Sequence, residues 1–206
     1  MGSVCTVNGK NGPECTDNFQ IVWPPFCVDG NKFHSAEQAY QASKFSVGSE
    51  AFQRILNADP ANKTKEQFGM EVWMIGNSCL WNREFEAIKV KSMYVANLCK
   101  FSQNPTLANE LRSTRGKIEA AASTWRWQFF NSRILQRIRY LLESGDIQQE
   151  LERVTLLDGK SVEQELELFD PCDHDWEAVE DSDYDQCLLC GESRKYEQQY
   201  FGDEVL

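Results

Sequence analysis

One short segment of this sequence gathers side chains of the types used in acid–base and nucleophilic chemistry. Tyr40, Gln41 and Lys44 follow Glu37 at spacings of three, four and seven residues. In an α-helix, residues at these spacings share one face. A carboxylate can act as a general acid or base, and a desolvated amine can act as a nucleophile. From composition alone a solvated helix face is the favoured interpretation, because Glu37 and Lys44 are too far apart to pair directly.

A second group of chemically active residues lies near the C-terminus. Cys172 and His174 are followed, after twelve intervening residues, by the Cys187-x-x-Cys190 pair. Zinc prefers four such ligands in a tetrahedron, and four protein ligands leave no open position for catalysis. The spacing therefore predicts a structural Zn²⁺ site between residues 172 and 191. The alternative is a solvated acidic tail with incidental cysteines, because six Asp or Glu residues lie between His174 and Cys187.

Charge divides the chain into two unequal parts. Residues 1–145 carry 17 Lys+Arg and 13 Asp+Glu, a net charge of +4, whereas residues 146–206 carry 4 and 19, a net charge of −15. The first part suits a phosphate-bearing ligand, and the acidic extension suits a protein partner rather than a nucleic acid. The sequence contains neither a G-x-x-x-x-G-K-[ST] nor a G-x-G-x-x-G motif, so no organic cofactor is expected.

The N-terminus carries a short lipidation pattern. Met1-Gly2-Ser3-Val4-Cys5-Thr6 fits the consensus for myristoylation at Gly2, and Cys5 could accept a second acyl chain. The alternative is a chance match to a short pattern. Small and polar residues predict a flexible arm over 1–18. Because the chain shows no secretory leader and no run of about 18 apolar residues, we expect a cytoplasmic protein that reaches a membrane only through acylation.

Helix and turn signals predict a helix-rich α+β fold with a few short strands. Asp29-Gly30 predicts a hairpin turn, and Ser35 with Gln38 predicts a capping box that opens the helix carrying Glu37, over about 36–45. Gly145 is predicted to end the main domain, which we place at 19–145, with the acidic extension at 146–206. Further helices are predicted to begin at Ser49, Thr64 and Asn82 and to cover 106–112, 131–144, 146–154 and 161–168, with a strand over 118–122 and an aromatic loop over 123–130.

Two sequence blocks carry a resemblance to a known family. The first joins Asp29-Gly30 to the E-x-x-Y-Q-A-x-K pattern that runs from Glu37 to Lys44, and the second is the K-F-x-Q-N-P pattern of Lys100–Pro105. In this order, and over about residues 23–143, the chain resembles the NADAR (YbiA-like) family, with a zinc-knuckle-like extension added. The resemblance implies a domain that cleaves N-glycosidic bonds to ribose. It also implies two substrate classes, ADP-ribose attached to guanine and ribosylamino-pyrimidine phosphates.

The resemblance also assigns roles to individual residues. Glu37 would supply negative charge or acid–base function, and Lys44 would attack C1′ of the ribose to form an iminium with the opened sugar. Tryptophan rings would stack on the base. The residues that would contact the substrate are Tyr40, Gln41, Trp81, Glu119, Trp127 and Asn131.

Three positions depart from the family pattern in one segment. Thr124 stands where an Asp is expected, Gln128 stands where a Gly is expected, and Arg126 adds a positive charge between them. A threonine cannot serve as a base near neutral pH. The alternative to an active enzyme is therefore a catalytically impaired protein that binds an ADP-ribose-like ligand or a protein partner.

Overall fold

The computed structural model describes residues 4–121 and 124–169, together with three short strands further along the chain. Those strands, β6 (Trp176–Ala178), β7 (Tyr184–Cys187) and β8 (Ser193–Lys195), form an antiparallel sheet in the order β6-β7-β8. The described residues preceding them contain eight α-helices and two small antiparallel sheets. The predicted helix-rich α+β fold is confirmed.

The helices are α1 (Ala36–Ala42), α2 (Glu50–Leu56), α3 (Lys65–Ser78), α4 (Phe85–Ser102), α5 (Pro105–Arg112), α6 (Trp125–Ser144), α7 (Ile147–Leu156) and α8 (Gly159–Leu168). The strands are β1 (Thr6–Val7), β2 (Lys10–Asn11), β3 (Phe26–Val28), β4 (Asn31–Phe33) and β5 (Ile118–Glu119). Strands β2, β1 and β5 form one sheet in that order, and β3 and β4 form a hairpin. None of the described helices combines the length and the hydropathy needed to cross a bilayer.

Helix α4 is the central element of the fold. It packs against α1 on one side and against α6, α7 and α8 on others. Tyr94, Leu98 and Phe101 belong to the core that α4 shares with α6–α8, whereas Ala96 and Cys99 belong to the core that it shares with α1–α3. Because α4 is buried on several sides, it fixes the position of α1 relative to the rest of the molecule.

Local signals set the ends of the elements around α1. The predicted hairpin is confirmed, with Asp29 at φ 47° and Gly30 at φ 78° in its turn. The Ser35 hydroxyl accepts a hydrogen bond from the Gln38 amide nitrogen at 3.0 Å, so Ser35 is the N-cap of α1. The side chain of Gln38 accepts from the amide nitrogen of His34 at 2.7 Å, one residue earlier than in a capping box.

The prediction of a flexible arm over 1–18 is wrong for its described residues. Strand β1 pairs with β5, more than a hundred residues later in the chain, and Cys5 and Cys15 are buried in the core. The ammonium group of Lys100 donates to the carbonyl oxygens of Cys15 at 2.8 Å and of Asp17 at 3.1 Å. A buried ammonium needs such acceptors, and these are distant in sequence, so local composition gave no sign of them.

The predicted aromatic loop over 123–130 and the predicted start of the next helix at residue 131 are also wrong. Helix α6 begins at Trp125, and Asn131 lies inside it. Phe130 is buried one turn before Ile134 and on the same face, so the apolar face begins earlier than predicted. Aromatic side chains disfavour a helix only weakly, and no Gly or Pro interrupts this segment.

The core continues beyond the domain boundary predicted at residue 145. Gly145 ends α6 in the left-handed conformation, at φ 84°, as predicted. Helices α7 and α8 nevertheless pack on α4, and Val154, Val162 and Leu166 are buried in the shared core. Gly145 is therefore a helix C-cap within one packed unit.

Candidate active site

The polar face of α1 is buried. Glu37, in the first turn of α1, and Lys44, in the turn two residues beyond its end, each expose only 5% of their surface, and Gln41 and Tyr40 are also buried. The helix predicted over about 36–45 ends at Ala42. The face is covered because α1 packs against both α3 and α4. Charged residues are rarely buried to this extent without a specific reason. The solvated-face interpretation is therefore wrong.

Glu37 is held by its own helix and by the segment that precedes it. Its Oε1 accepts a hydrogen bond from Gln41 Nε2 at 2.7 Å, and its amide nitrogen donates to the carbonyl oxygen of Asn18 at 2.9 Å. Burial raises the pKa of the Glu37 carboxyl, while the hydrogen bond from Gln41 and the charge of Lys44 act in the opposite direction. A carboxyl with a raised pKa can give up and regain a proton closer to neutral pH.

Lys44 lies among aromatic rings. Its Nζ is 4.9 Å from the ring centre of Trp81, 5.9 Å from that of Phe85 and 6.0 Å from that of Tyr40. The ammonium group donates to Asn77 Oδ1 at 3.1 Å. Burial lowers the pKa of Lys44, although the nearby Glu37 carboxylate opposes this shift. The amine is therefore neutral, and nucleophilic, in a larger fraction of molecules than a lysine in water.

Aromatic side chains form a wall beside Tyr40. The Tyr40 ring meets Phe85 and Trp127 edge to face, each at a centroid distance of 5.4 Å. Trp127 continues the wall by meeting Phe130 at 6.5 Å. Trp81 is 42% exposed and so presents part of its ring to solvent. The wall offers surfaces on which a planar base can stack.

Asn131 is joined to α1 through a chain of amide side chains. Asn18 Nδ2 donates to Asn131 Oδ1 at 3.3 Å, and Asn97 Nδ2 donates to Asn18 Oδ1 at 3.2 Å. The backbone of Asn18 in turn accepts from Glu37. Asn97 Oδ1 is buried and has no hydrogen-bond partner among the described residues. No role was predicted from the sequence for Asn18 or Asn97. Asn97 could have been found, because it is a polar residue on the buried face of α4.

The structure does not bring Glu119 together with the α1 face. Glu119 is exposed and forms an ion pair with Lys117 at 3.1 Å. It lines a separate surface cavity of about 670 Å³ that also includes Trp125 and Phe129 but no residue of α1. The expectation that Glu119 contacts the same substrate as Glu37 thus has no support from its placement.

The segment that departs from the family pattern lies at the start of α6. Thr124 is exposed, has an extended backbone and makes no side-chain cap to the helix. Arg126 forms an ion pair with Glu163 of α8. Gln128 donates its amide nitrogen to the Thr124 carbonyl oxygen at 2.8 Å, as the first turn of a helix requires. Arg126 is thus already paired with a carboxylate in this structure.

The remaining predicted sites lie mostly outside the described residues. Gly2, Cys172, His174 and Cys190 are not described, and of Cys187 only its place at the end of β7, opposite Trp176, is given. The described residues contain no group of three His, Cys, Asp or Glu side chains suited to a metal ion.

Cys5, the second predicted acylation site, is buried in the core. Its thiol donates to the carbonyl oxygen of Thr16 at 3.7 Å, and burial raises the pKa of this thiol to about 12. The nucleophile in thiol chemistry is the thiolate, which is scarce at such a pKa. This placement disfavours acylation of Cys5 in the folded protein.

The fold and the site together define a class of protein. A buried carboxyl on α1 and a buried amine two residues beyond its end, beside an aromatic wall in a helix-rich α+β fold, can supply acid–base and nucleophilic chemistry. The NADAR domain profile matches residues 8–129, more than half of the chain, and the chain belongs to this family of N-glycosidase-like proteins. Comparison with curated proteins and with solved structures gives no match. The matched range includes the N-terminal segment that supplies Asn18.

Proposed function

We propose that this protein hydrolyses an N-glycosidic bond to ribose in a phosphate-bearing, nucleotide-like substrate. The two substrate classes are ADP-ribosylated guanine and a ribosylamino-pyrimidine phosphate. Family membership supports the type of bond. The observation that carries the assignment of residues is the burial of Glu37 in α1 and of Lys44 in the turn that follows it, each 5% exposed.

The first step can be written with these two residues. The neutral amine of Lys44 attacks C1′ of the ribose, and the bond from C1′ to the base nitrogen breaks with its electron pair on the base. Protonated Glu37 gives its proton to the departing nitrogen, so the base leaves in neutral form. Burial raises the pKa of Glu37 and lowers that of Lys44, which favours the protonated carboxyl and the neutral amine that this step requires.

Ring opening follows. The Glu37 carboxylate takes one proton from the new ammonium group on Lys44 and passes it to the ring oxygen. As that proton moves, the bond between C1′ and the ring oxygen breaks, and the Lys44 nitrogen becomes an iminium. Glu37 is then again a carboxylate. Acid–base catalysis of this kind contributes about 10²–10⁴-fold to a rate.

Hydrolysis completes the cycle. Water adds to C1′ of the iminium while the Glu37 carboxylate accepts a proton from that water. Glu37 then protonates the Lys44 nitrogen, the bond between C1′ and nitrogen breaks, and the hydroxyl proton returns to Glu37. The sugar leaves as an aldehyde that closes to its ring form, and both residues return to their starting states.

Single-turnover release of the sugar product tests the proposal. Each substrate class is incubated with excess wild-type protein, Glu37→Gln or Lys44→Arg. Lys63→Ala is the matched control, because Lys63 lies outside the site in an ion pair with Glu71 at 2.5 Å. We expect release by the wild type and by Lys63→Ala, and at least a hundredfold loss in the other two variants. Equal release by all four proteins would contradict the assignment of Glu37 and Lys44.

A second candidate is a catalytically impaired protein that binds an ADP-ribose-like ligand or a protein partner without hydrolysing it. The observation that favours it is Thr124, which is exposed at the start of α6 where the family has an Asp. Isothermal titration with ADP-ribose, performed on the sample used for the release assay, distinguishes the two. Tight binding without release of product supports the impaired protein.

We also propose a structural Zn²⁺ ion held by Cys172, His174, Cys187 and Cys190. The spacing of the ligands supports it. A metal would stabilise a segment that carries too much negative charge to fold around an apolar core of its own. The acidic residues of 146–206 support a contact with a protein partner, and the Gly2 pattern supports myristoylation; both remain predictions.

A further inference from the structure

Gln41 occupies an unusual position on the face of α1. Its Nε2 donates to Glu37 Oε1 at 2.7 Å. Its Oε1 is buried and has no hydrogen-bond partner among the described residues. Buried amide oxygens almost always find a donor. The orientation of this amide therefore needs a cause other than a hydrogen bond to the oxygen.

Gly76 of α3 supplies that cause. A Cβ atom added at Gly76 would lie 2.0 Å from Gln41 Oε1 and 2.9 Å from its Cδ, closer than real contacts allow. Only a hydrogen atom fits between the Cα of residue 76 and the Gln41 amide, so this position requires glycine. A glycine inside a helix is unfavourable relative to alanine, so α3 retains a residue here that its own stability disfavours.

The close approach of α3 also selects which end of the amide faces Glu37. If the amide were turned over, its NH₂ group would point at Gly76, and the amide hydrogens would clash with the Cα hydrogen of the glycine. The carbonyl oxygen carries no hydrogen and fits the narrow space. With Oε1 beside Gly76, Nε2 must face the Glu37 carboxyl and act as a donor.

We propose that Gly76 is a positioning residue that acts through Gln41. It holds the Gln41 amide in the one orientation that donates to Glu37, and so stabilises the ionised form of a carboxyl that burial would otherwise keep protonated. This inference rests on the proposed function for the role of Glu37, which must return to the carboxylate form in each cycle. Gly76 itself does not touch the substrate.

Other charges also act on Glu37, and substitution of Gly76 leaves them in place. Lys44, just beyond the end of α1, lowers the pKa of Glu37, and Asp17 in the segment before α1 raises it. Glu86 on α4 acts on the neighbouring Lys44. A change in the titration of Glu37 after substitution of Gly76 therefore reports on Gln41 and not on a lost charge.

Gly69 provides a matched control on the same helix. It lies two turns before Gly76 on α3, and an added Cβ would lie 2.2 Å from Cδ2 of Phe19. Gly69→Ala therefore introduces a comparable clash but does not touch Gln41. Both alanine variants are expected to lower the melting temperature.

The experiment titrates the Glu37 carboxyl carbon by ¹³C NMR, with Glu37→Gln used for assignment. We expect Gly76→Ala to raise the pKa of Glu37 by about one unit or more, since it loses a hydrogen bond to the charged form. Gly69→Ala should leave that pKa unchanged. An unchanged pKa in Gly76→Ala, or an equal rise in Gly69→Ala, would overturn the proposal.

A double variant keeps the test decisive if Gly76→Ala does not fold. Gln41→Ala removes the side chain that the new Cβ would meet, so Gly76→Ala/Gln41→Ala has no clash with it. If Gly76 acts through Gln41, the double variant titrates like Gln41→Ala. A pKa of Glu37 that is higher in the double variant than in Gln41→Ala would contradict the proposal. Because the NMR titration needs no turnover, its outcome is independent of whether the proposed hydrolysis occurs.

Discussion

The substitution Trp81→Ala should separate substrate binding from the state of the nucleophile. The Trp81 ring covers the amine of Lys44 at 4.9 Å and is 42% exposed. The amide nitrogen of the next residue, Asn82, donates to the Lys44 carbonyl oxygen at 3.0 Å, which fixes this segment against the turn after α1. The ring therefore touches the nucleophile with one part and solvent with another.

Two effects follow from the loss of this ring. Stacking of a base on an aromatic side chain contributes about 1–3 kcal/mol, so substrate binding should weaken about 5- to 150-fold. Water would also reach Lys44, whose pKa is lowered mainly by burial. The pKa of Lys44 should therefore rise, and the pH at which the single-turnover rate is half-maximal should rise with it.

The assay is single-turnover hydrolysis at several substrate concentrations and pH values. Trp81→Phe keeps a ring over Lys44 and should retain most of the binding. Trp125→Ala is the matched control, because Trp125 is 80% exposed and lines the separate cavity beside Glu119. If Trp81→Ala binds substrate and titrates like the wild type, or if Trp125→Ala loses as much substrate affinity as Trp81→Ala, Trp81 neither stacks on the base nor shields Lys44.

Three further predictions concern stability and metal content. Burial lowers the pKa of Lys100 from 10.5 to about 8, so between these pH values the unfolded chain holds a proton that the folded chain has released, and stability should rise with pH. Relative to Lys100→Met, the free energy of unfolding of the wild type should increase by roughly 2–4 kcal/mol from pH 8 to pH 10.5 in urea titrations. Tyr94→Phe removes a hydrogen bond of 2.8 Å to the buried Glu150 carboxylate and should cost about 1.5–3 kcal/mol of unfolding free energy. Purified protein should contain about one zinc ion per chain by mass spectrometry, and Cys190→Ser should lose it.

Each of these predictions has a result that contradicts it. If the difference in free energy of unfolding between the wild type and Lys100→Met does not change over that pH range, Lys100 keeps its proton in the folded protein. Tyr140, on α6, has a 48% exposed ring, so Tyr140→Phe should leave the free energy of unfolding almost unchanged. If Tyr140→Phe lowers it as much as Tyr94→Phe does, the hydrogen bond to Glu150 is not the cause of the loss. Zinc retained by Cys190→Ser but lost by Cys79→Ser would place the metal elsewhere.

Local signals in the sequence located most helix ends around the site. Ser49 caps α2 and Thr64 caps α3 with a full capping box, because the caps depend on side chains only three residues away. The shared face of Glu37, Tyr40 and Gln41 was predictable for the same reason, since helical spacing alone sets it. The end of α1 at Ala42, which leaves Lys44 in a turn, was not predicted. The family resemblance then favoured a catalytic interpretation over a solvated face.

Features that depend on distant residues were not predictable. The N-terminal segment is ordered by Lys100 and by pairing with β5, and neither is visible in its small, polar composition. Asn18 and Gly76 take their importance from contacts with α1 that only the folded chain creates. The start of α6 was missed because its aromatic residues resemble a loop lining a site, whereas Phe130 is buried and continues the apolar face of the helix.

In the proposed reaction Lys44 forms a covalent intermediate with the sugar. Reduction with borohydride during turnover of ADP-ribosylated guanosine, followed by peptide mass spectrometry, detects this intermediate directly. We expect the peptide containing Lys44 to gain the mass of the reduced ADP-ribosyl group, and Glu37→Gln to give less of this adduct. Release of ADP-ribose without any trapped adduct on Lys44 would contradict the proposed mechanism and would leave Lys44 as a binding residue.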